Sequence, residues 1–432
     1  MNKTHSLWEF IKEFFQTKFL PATSREQLEK RQQLLWEKLK KNSLCKSKFY
    51  TPYLNQSHSK WPIINKADHM AAFNQINTVG LDKTEVLHIA AQSEISRDFT
   101  AQINDYSVGL SSGTSGNRGI FVASQKERAI WAANIIAKLL PIQFKKLRIA
   151  FFLRANNKLY ETVNSHLLKF EFFDLLDDIS IHINQLNEYQ PNILIAPASV
   201  LAILANAKDK TLFIKPSKII SVAEVLTEED KQKIEKKFNQ LVHQVYQCTE
   251  GFLAATCKYG NLHLNEESVL FEKKWVDTKL RIFTPIVTDL KRQTQPIVRY
   301  HLDDLLVESP NKCPCNSPAT HIEKILGRCD DVLYLNNTKD NTQKPLFPDF
   351  ITRSIIQTNH KITDFQVIQK TVNLLIICLP LSQKSLFSEV VATLQQSLIR
   401  QDFVIPEMKY EQLKSRPLHL KNRRVQRLYE HD

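Results

Sequence analysis

Glycine is scarce in this chain: there are eight in 432 residues, and four of them fall between Gly109 and Gly119. A chain so sparing with glycine keeps it where other residues fail, at positive φ or where backbone must come close to a ligand. Long apolar runs are also missing. The strongest, Leu374 to Leu381, is strand-length and contains Pro380, well short of the roughly 18 residues a membrane-spanning helix needs. The amino terminus carries Glu9 and Glu13 among its apolar residues and shows no cleavage-site pattern, so it does not read as a signal peptide. Together these absences predict a soluble, cytoplasmic protein without a membrane span. Seven cysteines, an odd number, argue for reduced thiols or metal ligands rather than a disulfide framework. No nucleic-acid module is recognisable, and the basic residues behind the net charge of +13 are scattered. The charge therefore points to an anionic partner such as a nucleotide, coenzyme A or an acidic carrier protein, and not to specific nucleic-acid binding.

What is present is enough for a large core. With 43% hydrophobic and 24% charged residues over 432 positions, two or more globular domains are expected. Apolar residues recur at helical intervals from 7 to 43, with Pro21 and Ser24 separating two helices and Ser24 a candidate N-cap. After an amphipathic helix over Lys126–Leu140, strand-like runs (Arg148–Leu153, Phe170–Leu176, Ile193–Ala196, Ile219–Val222, Val242–Gln247) alternate with helices (Ser199–Ala207, Glu228–Leu241). That alternation predicts an α/β fold with a mostly parallel sheet covered by helices, and ligands at the carboxyl ends of its strands. Toward the carboxyl terminus, Ile362–Gln369 and Val372–Cys378 read as strands, Leu386–Gln401 as a helix, and Arg416–Arg427 as a basic tail.

The stretch Val108 to Phe121 contains Ser111-Ser112-Gly113-Thr114-Ser115-Gly116-Asn117-Arg118-Gly119, entered and left by apolar residues. Such a loop offers N–H and O–H donors to a phosphate. It lacks both the Gly-Lys-Ser/Thr ending of a Walker loop and the G-x-G-x-x-G of a dinucleotide site. It resembles the phosphate loop of the adenylate-forming superfamily, the acyl- and aryl-CoA synthetases and their relatives. Further motifs follow in that superfamily's order and resemble most the phenylacetate-CoA ligases and the branch that adenylates a deazaflavin coenzyme. Ile219–Glu224 resembles a strand ending Gly-Ala-Glu, which places the backbone of Ala223 and Glu224 at adenine. Tyr246-Gln247-Cys248-Thr249-Glu250 resembles Tyr-Gly-x-Thr-Glu, implying Tyr246 against adenine, Thr249 on the α-phosphate and Glu250 as the Mg²⁺ ligand. Arg299-Tyr300-His301-Leu302-Asp303-Asp304 resembles Arg-Tyr-x-x-Gly-Asp, whose last carboxylate, here Asp304, takes both ribose hydroxyls. Gly327-Arg328-Cys329-Asp330-Asp331 resembles the hinge motif, with Arg328 near ribose and Asp330 as pivot, and Lys344–Pro348 resembles the turn opening the next helix. Lys421 in Lys421-Asn422-Arg423-Arg424-Val425 resembles the catalytic lysine, with Lys414 the nearest alternative.

The resemblance implies a large adenylation domain over 1–329, with a helical region 1–100, the phosphate loop 108–121 and a small β-subdomain. A smaller, mobile α+β domain over 330–432 follows. Its implied chemistry is ATP-dependent activation of an aryl or arylacetic acid to an acyl-adenylate, then transfer to coenzyme A or a carrier protein. Two other readings stand beside it: transfer of AMP to a hydroxyl-bearing cofactor, and nucleotide binding without turnover. The chain departs from the pattern at Gln247, Asp303 and Leu420, where glycine is usual, and at Asn316 and Asn336, where asparagine tolerates left-handed backbone.

One Cys/His pair and one Cys/Cys pair remain. Cys257–His263 gives C-x5-H across a Gly260-Asn261 turn, and Cys313-Pro314-Cys315 gives C-x-C. By spacing alone the set fits one tetrahedral ion or ordinary thiols in two unconnected loops. Some phenylacetate-CoA ligase-like proteins carry a structural zinc site with these flanking residues. The resemblance therefore implies Zn²⁺ on Cys257, His263, Cys313 and Cys315, with His321 as the substitute ligand.

Overall fold

The computed structural model describes residues 3–96, 101–111, 118–141, 146–153, 168–359, 362, 364–414, 417 and 421–429, with side chains from Ser6 onward. The chain divides into two units, Met1–Leu302 with Val307–Lys324, and Asp303–Leu306 with Ile325–Asp432.

The first unit opens with helices α1 (Lys3–Phe19) and α2 (Arg25–Asn42). Ser24 caps α2 by accepting the Gln27 amide, satisfying one of the donors a helix start leaves open. Short helices α3 (Lys66–Ala71) and α4 (Phe73–Ile76) and the longer α5 (Lys83–Ser96) lead to a three-stranded sheet, β1 (Gln102–Ile103), β2 (Tyr106–Leu110) and β3 (Ile120–Ala123). Helix α6 (Gln125–Leu139) begins with a capping box, Ser124 accepting the Glu127 amide while the Glu127 carboxylate accepts that of Ser124.

A twelve-stranded sheet follows. Its parallel part runs β5 (Leu168–Asp174), β4 (Leu147–Leu153), β6 (Ile193–Pro197), β7 (Lys218–Val222) and β8 (Val242–Cys248). Helices α7 (Ile179–Tyr189), α8 (Ala198–Asn206) and α9 (Glu228–Phe238) connect these strands. Helix α9 ends earlier than its apolar pattern suggests because Asn239 turns left-handed, at φ 50°. Beyond β8 the sheet continues through β9 (Gly251–Thr256), β10 (Leu262–Leu264), β15 (His321–Arg328), β14 (Asp304–Glu308), β12 (Ile282–Asp289) and β11 (Val269–Asp277), with β13 (Tyr300–His301) on β12. From β8 to β9 the pairing turns antiparallel. A buried cluster including Leu139, Leu147, Ile149, Ile193 and Ile220 joins α6 to the parallel strands. Each such side chain removed from water contributes about 1.5–3 kcal/mol.

The second unit contains the hairpin β16 (Leu333–Asn336) and β17 (Gln343–Leu346), helices α10 (Pro348–Thr358) and α11 (Phe387–Ile399), and a four-stranded sheet in the order β20 (Glu407–Gln412), β19 (Leu374–Leu379), β18 (Gln366–Thr371), β21 (Val425–Arg427). Both faces of this α+β unit meet in one core that includes Leu333, Ile355, Val367, Ile377 and Leu394. Three sequence expectations shift here. Lys344 and Pro345 belong to β17 rather than to a turn, and only Phe347 and Pro348 open α10. The strand expected over 362–369 begins at Gln366 and reaches Thr371. Asn336 lies in β16, while Asn316 is the asparagine that adopts left-handed backbone, at φ 57°.

Candidate active site and candidate metal centre

The β2 and β3 strands flank the Ser/Gly-rich stretch read as a phosphate loop in the sequence. Gly109 faces Phe121 in its register, and a Cβ there would collide with the Phe121 ring, so glycine is required by close approach. The base of the loop is closed from both sides: Ser111 N–H donates to the Gly119 carbonyl (2.7 Å), and Gly119 N–H donates to Ser111 Oγ (2.7 Å). Arg118 adds a bond from Nε to the Ser111 carbonyl (2.9 Å) and a two-pronged pair with Glu94. Ser111 thus staples the loop, a job its sequence position did not announce. Ser112, Gly113, Thr114, Ser115, Gly116 and Asn117 lie outside the described residues.

Beside this hairpin a cavity of about 460 Å³ opens between α6 and the sheet, lined by Arg128, Trp131, Phe151, Val222, Ala223, Val245, Gln247 and Thr249 among others. A smaller apolar space of about 70 Å³ shares Trp131, Phe151, Val222, Val245 and Gln247 with it. Gln247, one of the departures from the family pattern, therefore stands in the cavity wall. The Tyr246 side chain is buried and is not among the lining residues. Ala223 takes left-handed backbone at φ 65° where β7 ends, and Glu224 accepts the Ser199 amide (2.9 Å) at the start of α8, where a carboxylate complements the helix dipole.

Thr249 and Glu250 form the connection between β8 and β9, where the sheet changes from parallel to antiparallel. Thr249 Oγ1 donates to Glu250 Oε2 (2.8 Å). Arg292 fixes this corner from a distant part of the chain, donating to the Thr249 carbonyl and, at 2.9 Å, to Gln295 Oε1. Glu127, buried in the cavity wall, accepts the Gln293 and Thr294 amides (2.6 and 2.8 Å) and so ties α6 to the Arg292 segment. Asp289 also lines the cavity, and burial pushes its carboxyl up to about 6. The sequence reading missed Glu127, Asp289 and Arg292. Glu127 meets Thr294 and Arg292 meets Thr249 across long sequence separations, Asp289 is marked out by its burial in the folded chain, and the capping box at Ser124–Glu127 was the local signal for Glu127. Arg299 is structural: it donates to Glu272 (2.8 and 2.6 Å) and to the Ser59 and Trp61 carbonyls.

In the second unit, Asp304 opens β14 and Arg328 ends β15. Asp303, Asp304, Asp330 and Asp331 all act electrostatically on Arg328, and Arg328 Nη2 lies 3.5 Å from Asp303 Oδ2. Asp330 sits in a single 3₁₀ turn, Cys329–Asp331. The neighbouring Asp331 is the fixed residue of that turn, accepting the Arg328 amide (3.1 Å) and the Arg423 guanidinium. Lys421 is exposed, just ahead of β21, and Leu420 lies outside the described residues.

The four metal-ligand candidates come together in the first unit. Cys257 Sγ, His263, Cys313 Sγ and Cys315 Sγ place one ligand atom each within 4.8 Å of one another. Cys257 and Cys313 sulfurs are 3.7 Å apart, and Cys315 Sγ is 3.3 Å from His263 Nε2. A tetrahedral zinc with bonds of about 2.3 Å to sulfur sets ligands about 3.8 Å apart, so the spacing fits. His263 Nδ1–H donates to the Ala319 carbonyl (3.2 Å), which leaves Nε2 facing the sulfurs. Burial pushes the His263 imidazole below its ordinary value. Donors surround the sulfurs: Asn261 Nδ2 reaches Cys313 Sγ (3.2 Å) and the Ser317 amide reaches Cys315 Sγ (3.4 Å). His321 stacks on His263 with its Nδ1 at the Asn311 carbonyl (3.0 Å) and is not in the cluster.

No protein-family model matches the sequence. Protein CapK of Staphylococcus aureus is 26% identical over 230 residues, 51% of this chain and 49% of that protein, so the match spans about half of that relative. Among solved structures, a 2-hydroxyisobutyryl-CoA ligase in its postadenylation state with 2-HIB-AMP superposes with a TM-score of 0.65 at 15% identity, over 95% of this chain and 91% of that one. An anthranilate CoA ligase with anthranoyl-AMP superposes with a TM-score of 0.52 at 13% identity, over 75% and 67%. At these identities the likeness is one of fold, and with the 2-hydroxyisobutyryl-CoA ligase it covers nearly the whole chain.

Proposed function

We propose that this chain, which has the fold of the adenylate-forming ligases, activates a carboxylic acid with ATP, releasing pyrophosphate, and passes the acyl group to a thiol. One observation carries the reading. Thr249 lines a cavity of about 460 Å³ at the parallel-to-antiparallel corner of the sheet, its carbonyl held by Arg292 and its hydroxyl donating to the adjacent Glu250. Ligands favour such strand ends.

The proposed roles follow from side-chain chemistry. The loop Ser111–Gly116 wraps the β- and γ-phosphates with amide and hydroxyl donors. Thr249 donates to the α-phosphate, Ala223 and Glu224 offer backbone to adenine with Tyr246 beneath, and Asp304 accepts both ribose hydroxyls beside Arg328. Glu250 is the candidate Mg²⁺ ligand, and a bound Mg²⁺ neutralises phosphate charge during the displacement. The ammonium of Lys421 adds positive charge where it develops. Asp330 is the pivot about which the small domain turns between the two half-reactions. The aromatic and aliphatic wall of Trp131, Phe151, Phe170 and Val245 suits an aryl or arylacetic acid. Cys257, His263, Cys313 and Cys315 hold a structural zinc with no open position, remote from these steps.

The test is acid-dependent pyrophosphate release with aryl, arylacetic and short fatty acids, followed by product analysis with coenzyme A and with a carrier protein. A thioester plus free AMP supports the reading. AMP retained in the product on a hydroxyl acceptor makes the chain an adenylyltransferase instead. No pyrophosphate with any acid makes it a binding protein.

A further inference from the structure

Helix α1 is amphipathic with its faces reversed. Its inward face is polar: buried Glu13 accepts from Asn134 Nδ2 (2.9 Å) and from Lys291 Nζ (2.9 Å), Glu9 pairs with Lys126 (3.3 Å), and Thr17 donates to Asn134 (3.1 Å). Lys18 folds back to the Ala137 and Leu140 carbonyls, occupying acceptors at the end of α6. The outward face is apolar: Leu7, Trp8, Ile11, Phe15 and Phe19 are 59%, 64%, 49%, 55% and 50% exposed. At about 100° per residue these five side chains spread over about 120° of the helix, opposite Glu9, Glu13 and Thr17, while Lys18 starts within that arc and reaches back around the helix end. Soluble proteins place such a stripe against their own core, so an outward one marks a docking face.

We propose that the outer face of α1 docks this protein on an anionic lipid surface, with the helix lying in the headgroup layer. Two observations favour lipid over a second copy. The stripe is broad and carries Trp and Phe, as interfacial helices do, whereas a helix-pairing seam is narrower. The chain carries +13 net charge, and residues 1–43 hold nine Lys or Arg against five Glu. That balance attracts acidic headgroups and repels another copy. No described helix is long and apolar enough to cross a membrane, so the contact is peripheral. It rests on α1 and the chain's charge, independently of the catalytic reading.

The experiment is co-sedimentation of the full chain with phosphatidylcholine vesicles, with and without phosphatidylglycerol. Binding is expected only with phosphatidylglycerol, weakening as salt rises. The double variant Ile11→Glu with Phe15→Glu should bind at least about tenfold less, with unchanged thermal unfolding and circular dichroism. The single variant Trp8→Phe, which spares the stripe, should still bind but lose part of the blue shift in tryptophan emission. Absence of binding to acidic vesicles, or binding that survives the double variant, overturns the proposal. A dimer in light scattering that the double variant dissociates also overturns it, in favour of a second copy.

Discussion

Arg423 grips Asp331 through both Nε, at 2.8 Å, and Nη2, with the two side chains only 19% and 12% exposed. The pair joins the turn that contains Asp330 to the tail segment that contains Lys421, across 92 residues of sequence. Breaking one side of a buried pair leaves the other charge without a partner, at a cost of about 3–5 kcal/mol. Arg423→Ala should therefore lower the unfolding free energy of the small unit by about that amount and slow adenylation by positioning Lys421 less well. A double-mutant cycle with Asp331→Asn measures the coupling. Additive losses would mean that the two residues act separately.

The parts of this molecule that could be read from sequence are the local ones. Ser24 capping α2, the two N-terminal helices and the parallel strands all depend on residues a few positions apart, so periodicity and cap chemistry suffice. The Cys257–His263 and Cys313–Cys315 pairs are each local too, and only their meeting across the sheet needed the fold. Pairs such as Arg423–Asp331 and Glu127–Thr294 carry no local signal, being 92 and 167 residues apart. Strand β17 was hidden for another reason: Lys344-Pro345 reads as a turn, yet Tyr334 pairs with Pro345 in the ladder of a two-stranded hairpin, where an edge proline is tolerated.

Lys421 is proposed to serve the first half-reaction alone. Lys421→Ala should cut acid-dependent pyrophosphate release by about a hundred- to a thousandfold, the usual cost of removing one donor at developing charge. Thioester formation from a supplied acyl-adenylate should survive. Equal loss of both halves would transfer the role to another residue, Lys414 being the next to vary.

Asp304 is proposed to accept both ribose hydroxyls, a charge-assisted contact worth about 1.5–3 kcal/mol. Asp304→Ala should weaken ATP binding by about ten- to a hundredfold in calorimetry while leaving the affinity for the acid unchanged. Unaltered ATP affinity would remove Asp304 from the nucleotide site.

The cysteine cluster is expected to hold about one zinc per chain as purified. Cys313→Ser should abolish stoichiometric zinc and lower the melting temperature, because a bound ion would clamp the turn at Gly260 to the turn at Pro314. Metal analysis showing no zinc in the unaltered protein would leave four ordinary side chains in contact.

Asp289 contributes to the pH dependence of stability. Burial raises its carboxyl from 3.8 to about 6 in the folded chain, so the native state holds this proton more tightly than the unfolded chain does. The folded state is therefore favoured by this group below about pH 4, and that advantage drains away as pH rises toward 6. Above it, keeping an ionised carboxylate buried costs on the order of 3 kcal/mol. Asn at this position keeps an acceptor for the Lys291 amide, which Asp289 Oδ1 binds at 2.8 Å, and carries no charge to desolvate. Asp289→Asn should raise the melting temperature at pH 8 and leave it nearly unchanged at pH 4. The same gain at both values would assign the effect to packing instead of ionisation, and a loss at pH 8 would mean that the carboxylate is ionised in the fold and paired with Arg292.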